Sequence, residues 1–261
     1  MALMASLLLA RVHPFGDAGL AAARPAQPVM EHVSVPADIR ATLTAKCADC
    51  HSMSTRLPVY DRVAVRFAPV SWLIERDVEE GRKNLNLSNW ASYSADRQQV
   101  LMSKIVRETK ERKMPPPQYR MIHWSAQVSD ADVLAFTQWM GATQALPARA
   151  SAPPSYQASA EGDPARGRQI FEKRCSGCHA LDQNREGPRL HDVFGRTSGQ
   201  IAGFPYSPAL VKAHITWTDA SLDHWLTDPD ALVPGNNMDF HVPTPQERQD
   251  LIRFLREESG K

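Results

Sequence analysis

The chain has 261 residues, 43% of them hydrophobic and 23% charged, with a formal net charge of +1. That length suits one or two domains and is enough for a buried core. The near-zero charge excludes binding to a polyanion driven by bulk charge alone, and four cysteines in 261 residues exclude a disulfide-dense scaffold.

In chain order, Ala2–Ala10 is apolar, with Leu3, Leu7, Leu8 and Leu9, and Arg11 interrupts it. It is too short to span a bilayer. It reads as a signal-peptide core with Leu20–Ala23 as a small-residue cleavage region, or as the end of a membrane anchor. A frayed apolar terminus without an address is the plain alternative. Pro36 opens a helix carrying Ile39 and Leu43, which leads into Cys47-Ala48-Asp49-Cys50-His51. Pro69–Ile74 and Asp77–Arg82 follow, then a basic run from Lys104 to Lys113 (a solvated face, or a patch for an acidic redox partner), then Lys113-Met114-Pro115-Pro116-Pro117. Ser129 and Asp132 cap a helix whose Val133, Phe136, Thr137 and Met140 share a face. Trp72, Trp90, Trp124 and Trp139 read as pocket walls and core.

Residues 147–160 contain Pro147, Pro153 and Pro154 among small polar residues and read as a flexible linker. Asp163-Pro164 starts a further helix, with Gly167, Ile170 and Phe171 on one face, and it delivers Cys175-Ser176-Gly177-Cys178-His179. Thr244-Pro245-Gln246-Glu247 reads as a capping box opening a last helix striped by Leu251, Ile252 and Leu255. Gly167 has no side chain, so the last helix can cross there. Sustained strand alternation is absent, and the expected class is all-α: two domains, 31–146 and 161–261, joined by the flexible linker, with 1–30 as leader or truncated anchor.

Cys-x-x-Cys-His occurs twice and uses every cysteine. The spacing is the attachment signature of c-type haem: two thiols add to the two porphyrin vinyls, and the adjacent histidine offers an imidazole to iron. A zinc site built from two cysteine pairs does not require a histidine after both. A thioredoxin-like pair would need a β-α-β context. The expected cofactors are therefore two haems c, on Cys47, Cys50 and His51, and on Cys175, Cys178 and His179.

From Gly162 to Glu258 the chain resembles the mitochondrial-type class I cytochrome c family. The resemblance rests on Gly187-Pro188-Arg189-Leu190-His191, Phe194-Gly195-Arg196, Tyr206, Trp217 and Pro234-Gly235-Asn236-Asn237-Met238. It implies that the Pro188 carbonyl accepts the His179 N–H, that Arg196, Tyr206 and Trp217 lie by the haem propionates, and that Met238 is the axial methionine. A thioether is a soft ligand favouring Fe(II), which suits that role; His241 is the rival. His241-Val242-Pro243 replaces a longer basic stretch of the family, so its lysine-rich docking face is not carried over. Residues 38–141 resemble a bacterial haem-binding domain family, through Cys-x-x-Cys-His-Ser, Ala68-Pro69-Val70-Ser71-Trp72 and Met114-Pro115-Pro116.

Met114 is the expected sixth ligand of the first haem, because the proline after it keeps it out of the helical region. A core methionine, His123 as ligand and an open sixth position are the alternatives. The expected function is single-electron transfer between redox protein partners in the periplasm, with membrane attachment through the N-terminus as an option. A dihaem peroxidase or a haem sensor with an open first haem is the competing reading. No nucleic-acid partner is expected.

Overall fold

A computed structural model describes residues 2–20, 29–30, 34–55, 59–145 and 162–260. The linker expected at 147–160 and the alanines of the expected cleavage region lie outside the described residues. The all-helical class holds: among the described residues there is no strand, only an isolated bridge between Thr197 and Thr216. The helices are α1 (Ala2–Leu9), α2 (Ala37–Lys46), α3 (Ala48–His51), α4 (Val59–Ala64), α5 (Val70–Asn84), α6 (Ala95–Lys110), α7 (Pro117–Ile122) and α8 (Asp130–Ala145). After the linker come α9 (Pro164–Ile170), α10 (Pro208–Ala213), α11 (Asp219–Thr227), α12 (Pro229–Leu232) and α13 (Pro245–Glu258). No described helix is long and apolar enough to cross a membrane.

The chain forms two compact units, Met1–Ser94 with Arg112–Ala135, and Ala95–Glu111 with Phe136–Lys261. The division does not follow chain order, because α6 groups with the second unit.

In the first unit, α2 buries Ile39 and Leu43, as their spacing of four on a helix requires. It ends at Cys47, and α3 carries the rest of the first motif. Helix α5 lies against α3 at Gly81, where a Cβ would sit 2.6 Å from the Cys50 carbonyl oxygen. A glycine inside a helix weakens it by about 1 kcal/mol relative to alanine; here the loss is offset by the close approach. The N-terminal segment packs in the same unit. Ser6 Oγ donates to the Ala68 carbonyl at 2.6 Å, Trp72 Nε1 donates to the Val12 carbonyl at 2.8 Å, and Arg82 donates to the Ala18 carbonyl. Met30 is fully buried. At the start of α8, Ser129 and Asp132 bond reciprocally, and Asp132 also takes Lys46 of α2 at 2.6 Å. Trp90 and Trp139 are core as expected, but Trp124 is 82% exposed. It opens a short 3-10 turn, Trp124–Ala126, whose buried residue is Ala126, so the indole faces outward.

In the second unit, Asp163 caps α9 through Ala165 and Arg166 backbone N–H groups, with Pro164 at its first position. Phe171–Cys175 then widens into a π-turn, closed by Ser176 N–H on the Phe171 carbonyl at 2.8 Å. Such turns recur at functional sites. Helix α13 crosses α9 at Gly167, where a Cβ would lie 2.0 Å from the Asp250 carbonyl oxygen. Phe171, Leu251, Phe254 and Leu255 fill the core beside this crossing, each worth about 1.5–3 kcal/mol on full burial. Thr244 precedes α13 but makes no side-chain cap bond. Glu247, expected to complete the box, instead pairs with Arg174 at 2.9 Å: an arginine beside the second motif supplies a charged donor, which a carboxylate prefers to a single backbone N–H.

The basic run is not simply solvated. Helix α6 buries Val100, Leu101, Met102, Ile105 and Val106, while Lys104 pairs with Glu186 at 2.7 Å and Lys110 with Asp239 at 3.2 Å.

Candidate haem sites

The second site is a cavity holding about 1360 Å³ of atom-free space, partly open to solvent. Cys175, Cys178, His179, Pro188, Arg196, Tyr206, Trp217 and Met238 all line it. Leu190, Val193, Leu222, Leu226, Leu251 and Leu255 make its apolar wall, and Val100, Ser103, Lys104 and Arg107 of α6 contribute to one side. A flat, largely apolar macrocycle with a polar edge suits such a lining.

His179 is held from two sides. Its Nδ1–H donates to the Pro188 carbonyl at 2.7 Å. A carbonyl can only accept, so the proton sits on Nδ1 and the Nε2 lone pair is left for a metal. Gly187 lies against the ring, where a Cβ would fall 2.2 Å from Cε1. Burial lowers the His179 pKa, against the opposing effect of the Pro188 bond, which favours the neutral imidazole, the form able to take a metal. Burial also pushes the Cys175 thiol up to about 12 and the Cys178 thiol up to about 11.

Met238 is carried on a loop tied at both ends. Asn236, 1% exposed, accepts the Met238 N–H through Oδ1 at 2.6 Å and donates to Asp230 and to the Val233 carbonyl. Beyond Met238, the Val242 N–H donates to the Leu226 carbonyl at 2.7 Å. The fully buried Arg248 donates to the Val242 and Pro243 carbonyls and pairs with Asp223 at 2.7 Å. Met238 Sδ accepts the Trp225 indole N–H at 3.0 Å. His241, the rival, has Nδ1 3.3 Å from the Thr227 carbonyl and does not line the cavity.

At the polar edge, Arg196 donates to the His191 and Arg189 carbonyls. Burial lowers its pKa and raises that of Tyr206. Trp217 is buried, with its backbone bonded to Arg196.

The first site repeats the proximal geometry with different partners. His51 Nδ1–H donates to the Gly81 carbonyl at 2.9 Å and faces the Leu85 carbonyl at 3.1 Å, both at the end of α5. Burial lowers its pKa, outweighing these carbonyls. Burial likewise pushes Cys47 and Cys50 up to about 12. Met114 is 39% exposed. Its segment reaches the motif through Tyr119, whose hydroxyl bonds Asp49 at 3.1 Å and whose ring stacks on His123 at 4.0 Å. The sequence reading includes Gly81, Gly187 and Asn236 within motifs but gives them no role of their own, and it misses Trp225. A glycine inside the amphipathic α5 was the available signal for Gly81; nothing local marked Trp225, which takes its role from a residue thirteen positions on.

The cysteine pairs lie in different units, and no cluster of three or more Cys, His, Asp or Glu ligand atoms forms around either among the described residues. The donor sets thus fit two separate haem-type sites rather than one four-sulfur centre.

Comparison with known proteins agrees. A haem-binding domain model matches residues 6–142, more than half of the chain, and a cytochrome c model matches residues 164–259. The first match begins within the stretch that the sequence assigns to a leader or anchor. Cytochrome c of Chlamydomonas reinhardtii is 42% identical over 100 residues, covering 37% of this chain and 89% of the relative. That of Arabidopsis thaliana is 40% identical over 105 residues, covering 39% and 94%. That of Nigella damascena is 33% identical over 110 residues, covering 41% and 99%. Among solved structures, cytochrome cH from Methylobacterium extorquens aligns with TM-score 0.36 and 38% identity, over 37% of this chain and 99% of that one. The chain therefore belongs to the cytochrome c family, as a haem protein of the electron-transfer kind with a haem-binding domain ahead of its cytochrome c domain.

Proposed function

We propose that the chain is a dihaem cytochrome c that relays single electrons between redox proteins in the periplasm, through haems joined to Cys47 and Cys50 and to Cys175 and Cys178. The observation carrying this reading is the convergence of Cys175, Cys178, His179 and Met238 on one largely apolar cavity, with the His179 Nδ1 proton committed to Pro188. Haem, when bound, supplies a one-electron iron couple.

The chain's own residues account for the rest. Pro188 and Gly187 orient the His179 ring, and the Gly81 and Leu85 carbonyls do the same for His51. The wall of leucines, Val193 and tryptophans excludes water, which limits solvent rearrangement when charge changes. Met238 together with His179 would hold the iron at one site, and Met114 together with His51 at the other. Arg196, Tyr206 and Trp217 hold the polar edge. The N-terminal segment is read as retained, because it packs on the first unit through Ser6 and Trp72, with membrane attachment through it as an option.

The 39% exposure of Met114 favours a second reading for the first site alone, an open sixth position usable by a peroxidase or a sensor. One experiment tests both. The purified full chain is weighed by mass spectrometry under denaturing conditions, which reports covalent haem, and is then reduced under carbon monoxide. Two haems that survive denaturation, with no carbon monoxide adduct, support the six-coordinate carrier. One rapid adduct in the wild type, joined by a second in Met238→Ala, points to an open first site. A single retained haem, or none, overturns the dihaem reading.

A further inference from the structure

Away from both motifs, three side chains of the first unit converge. Ligand atoms of His13, Asp17 and Glu75 all lie within 4.8 Å of one another. His13 and Asp17 belong to one turn, which closes through the Gly16 N–H on the His13 carbonyl, and both are exposed. Glu75 comes from α5 and forms the inner wall, with its side chain 6% exposed. Its Oε1 accepts from His13 Nδ1 at 2.7 Å. Its Oε2 is fully buried and has no hydrogen-bond partner among the described residues.

That orphaned oxygen is independent of the clustering. A buried carboxylate oxygen without a donor is unfavourable by about 1–3 kcal/mol or more. The other groups nearby do not relieve it. Asp17 brings a second negative charge, and Glu79 a third, its carboxyl carbon 3.7 Å from where a Gly16 Cβ would stand. Arg82 sits 3.8 Å from Glu79, and the one ion-pair partner recorded for Glu75 is His13 on Oε1.

We propose that His13, Asp17 and Glu75 form a binding site for a divalent first-row transition ion of the zinc class, which pins the N-terminal segment to α5. One imidazole and two carboxylates make a mixed nitrogen and oxygen donor set. That set suits zinc, manganese or iron(II) and is poorer for calcium or magnesium, which prefer oxygen alone. The neutral imidazole gives up its hydrogen bond to Glu75 and takes the ion on a ring nitrogen, its remaining proton staying on the other; protonated His13 releases one proton on binding. Three protein donors leave the outer positions to water, on the side where His13 and Asp17 are exposed.

The test is zinc binding to the full chain as purified, by titration calorimetry and metal analysis after dialysis. Far-UV circular dichroism and the visible spectrum check that each variant is folded. One zinc per chain is expected. His13→Asn and Asp17→Asn, both on the exposed turn, are expected to weaken it tenfold or more, as is Glu75→Gln. Zinc is also expected to slow proteolysis between residues 13 and 75 in the wild type and not in Asp17→Asn. Equal zinc uptake by wild type, His13→Asn and Asp17→Asn overturns the proposal, because the ion then sits elsewhere, such as at His191 and Asp192. No uptake overturns it as well.

Discussion

Replacing Gly187 with alanine tests the link between the backbone and the second haem site. The added Cβ would stand 2.2 Å from Cε1 and 2.5 Å from Nδ1 of His179. Ordinary contact begins at 3.4 Å, so ring and backbone must part by 3.4 minus 2.2, or 1.2 Å. Neither side moves freely. The Gly187 N–H is bonded to the Cys178 carbonyl at 2.8 Å, and its carbonyl accepts from Arg185 at 2.9 Å. The ring is bonded to Pro188 at 2.7 Å, a bond that cannot survive such a shift. Overpacking contributes about 1–3 kcal/mol and the lost hydrogen bond about 1 kcal/mol. The expected destabilisation is ~2–4 kcal/mol, read as a lower urea midpoint at unchanged slope. The oxidised spectrum should move toward weaker histidine ligation. Gly141→Ala is the control: nothing lies within 4 Å of its added Cβ, so in α8 it should stabilise by about 0.4–1 kcal/mol. A Gly187→Ala protein as stable as wild type, with an unchanged spectrum, would refute the reasoning.

Three further outcomes are expected. Arg248→Met removes a fully buried guanidinium from Asp223 and from two carbonyls at the exit of the Met238 loop; breaking a buried pair should lower unfolding stability by about 3–5 kcal/mol, and urea titration checks it. Trp225→Phe deletes the N–H on Met238 Sδ, which should destabilise by about 0.5–1.5 kcal/mol. On the proposed ligation by Met238, the haem-loaded protein should also show a lower potential at the second site, because a sulfur freed of that donor gives more to Fe(III); redox titration decides. For Asp132, the partly buried carboxyl is raised by desolvation but lowered more by Lys46 and Ser129, ending at about 2. A depressed folded-state pKa gives stability that is present above the usual carboxylate range and is lost as pH falls from about 4 toward 2. Asp132→Asn should flatten that part of the stability profile and lower stability near pH 7 by about 1 kcal/mol, as expected for a lost helix cap.

Local chemistry made much of this protein readable. Cys-x-x-Cys-His is a contiguous string, so covalent geometry alone brings its thiols and imidazole together, twice. Asp163-Pro164 and Ser129 with Asp132 stop or start helices through bonds made within four residues, and Ile39 with Leu43 declares a buried stripe by spacing. Thr244 shows where such reasoning breaks: its partner Glu247 found a stronger donor, Arg174, 73 positions away in sequence.

Other features depended on residues meeting across the fold. Trp225 reaches Met238, Gly81 presents its carbonyl to His51, and Arg248 clasps the loop exit; no short-range pattern encodes these pairs, because each is a meeting of two elements. The N-terminal stretch is the clearest case. By composition it reads as a leader or anchor, since apolarity is a property of the segment alone. Its hydrogen bonds to Ala68 and Trp72, and the approach of His13 and Asp17 to a buried Glu75, exist only once α5 has folded beside it.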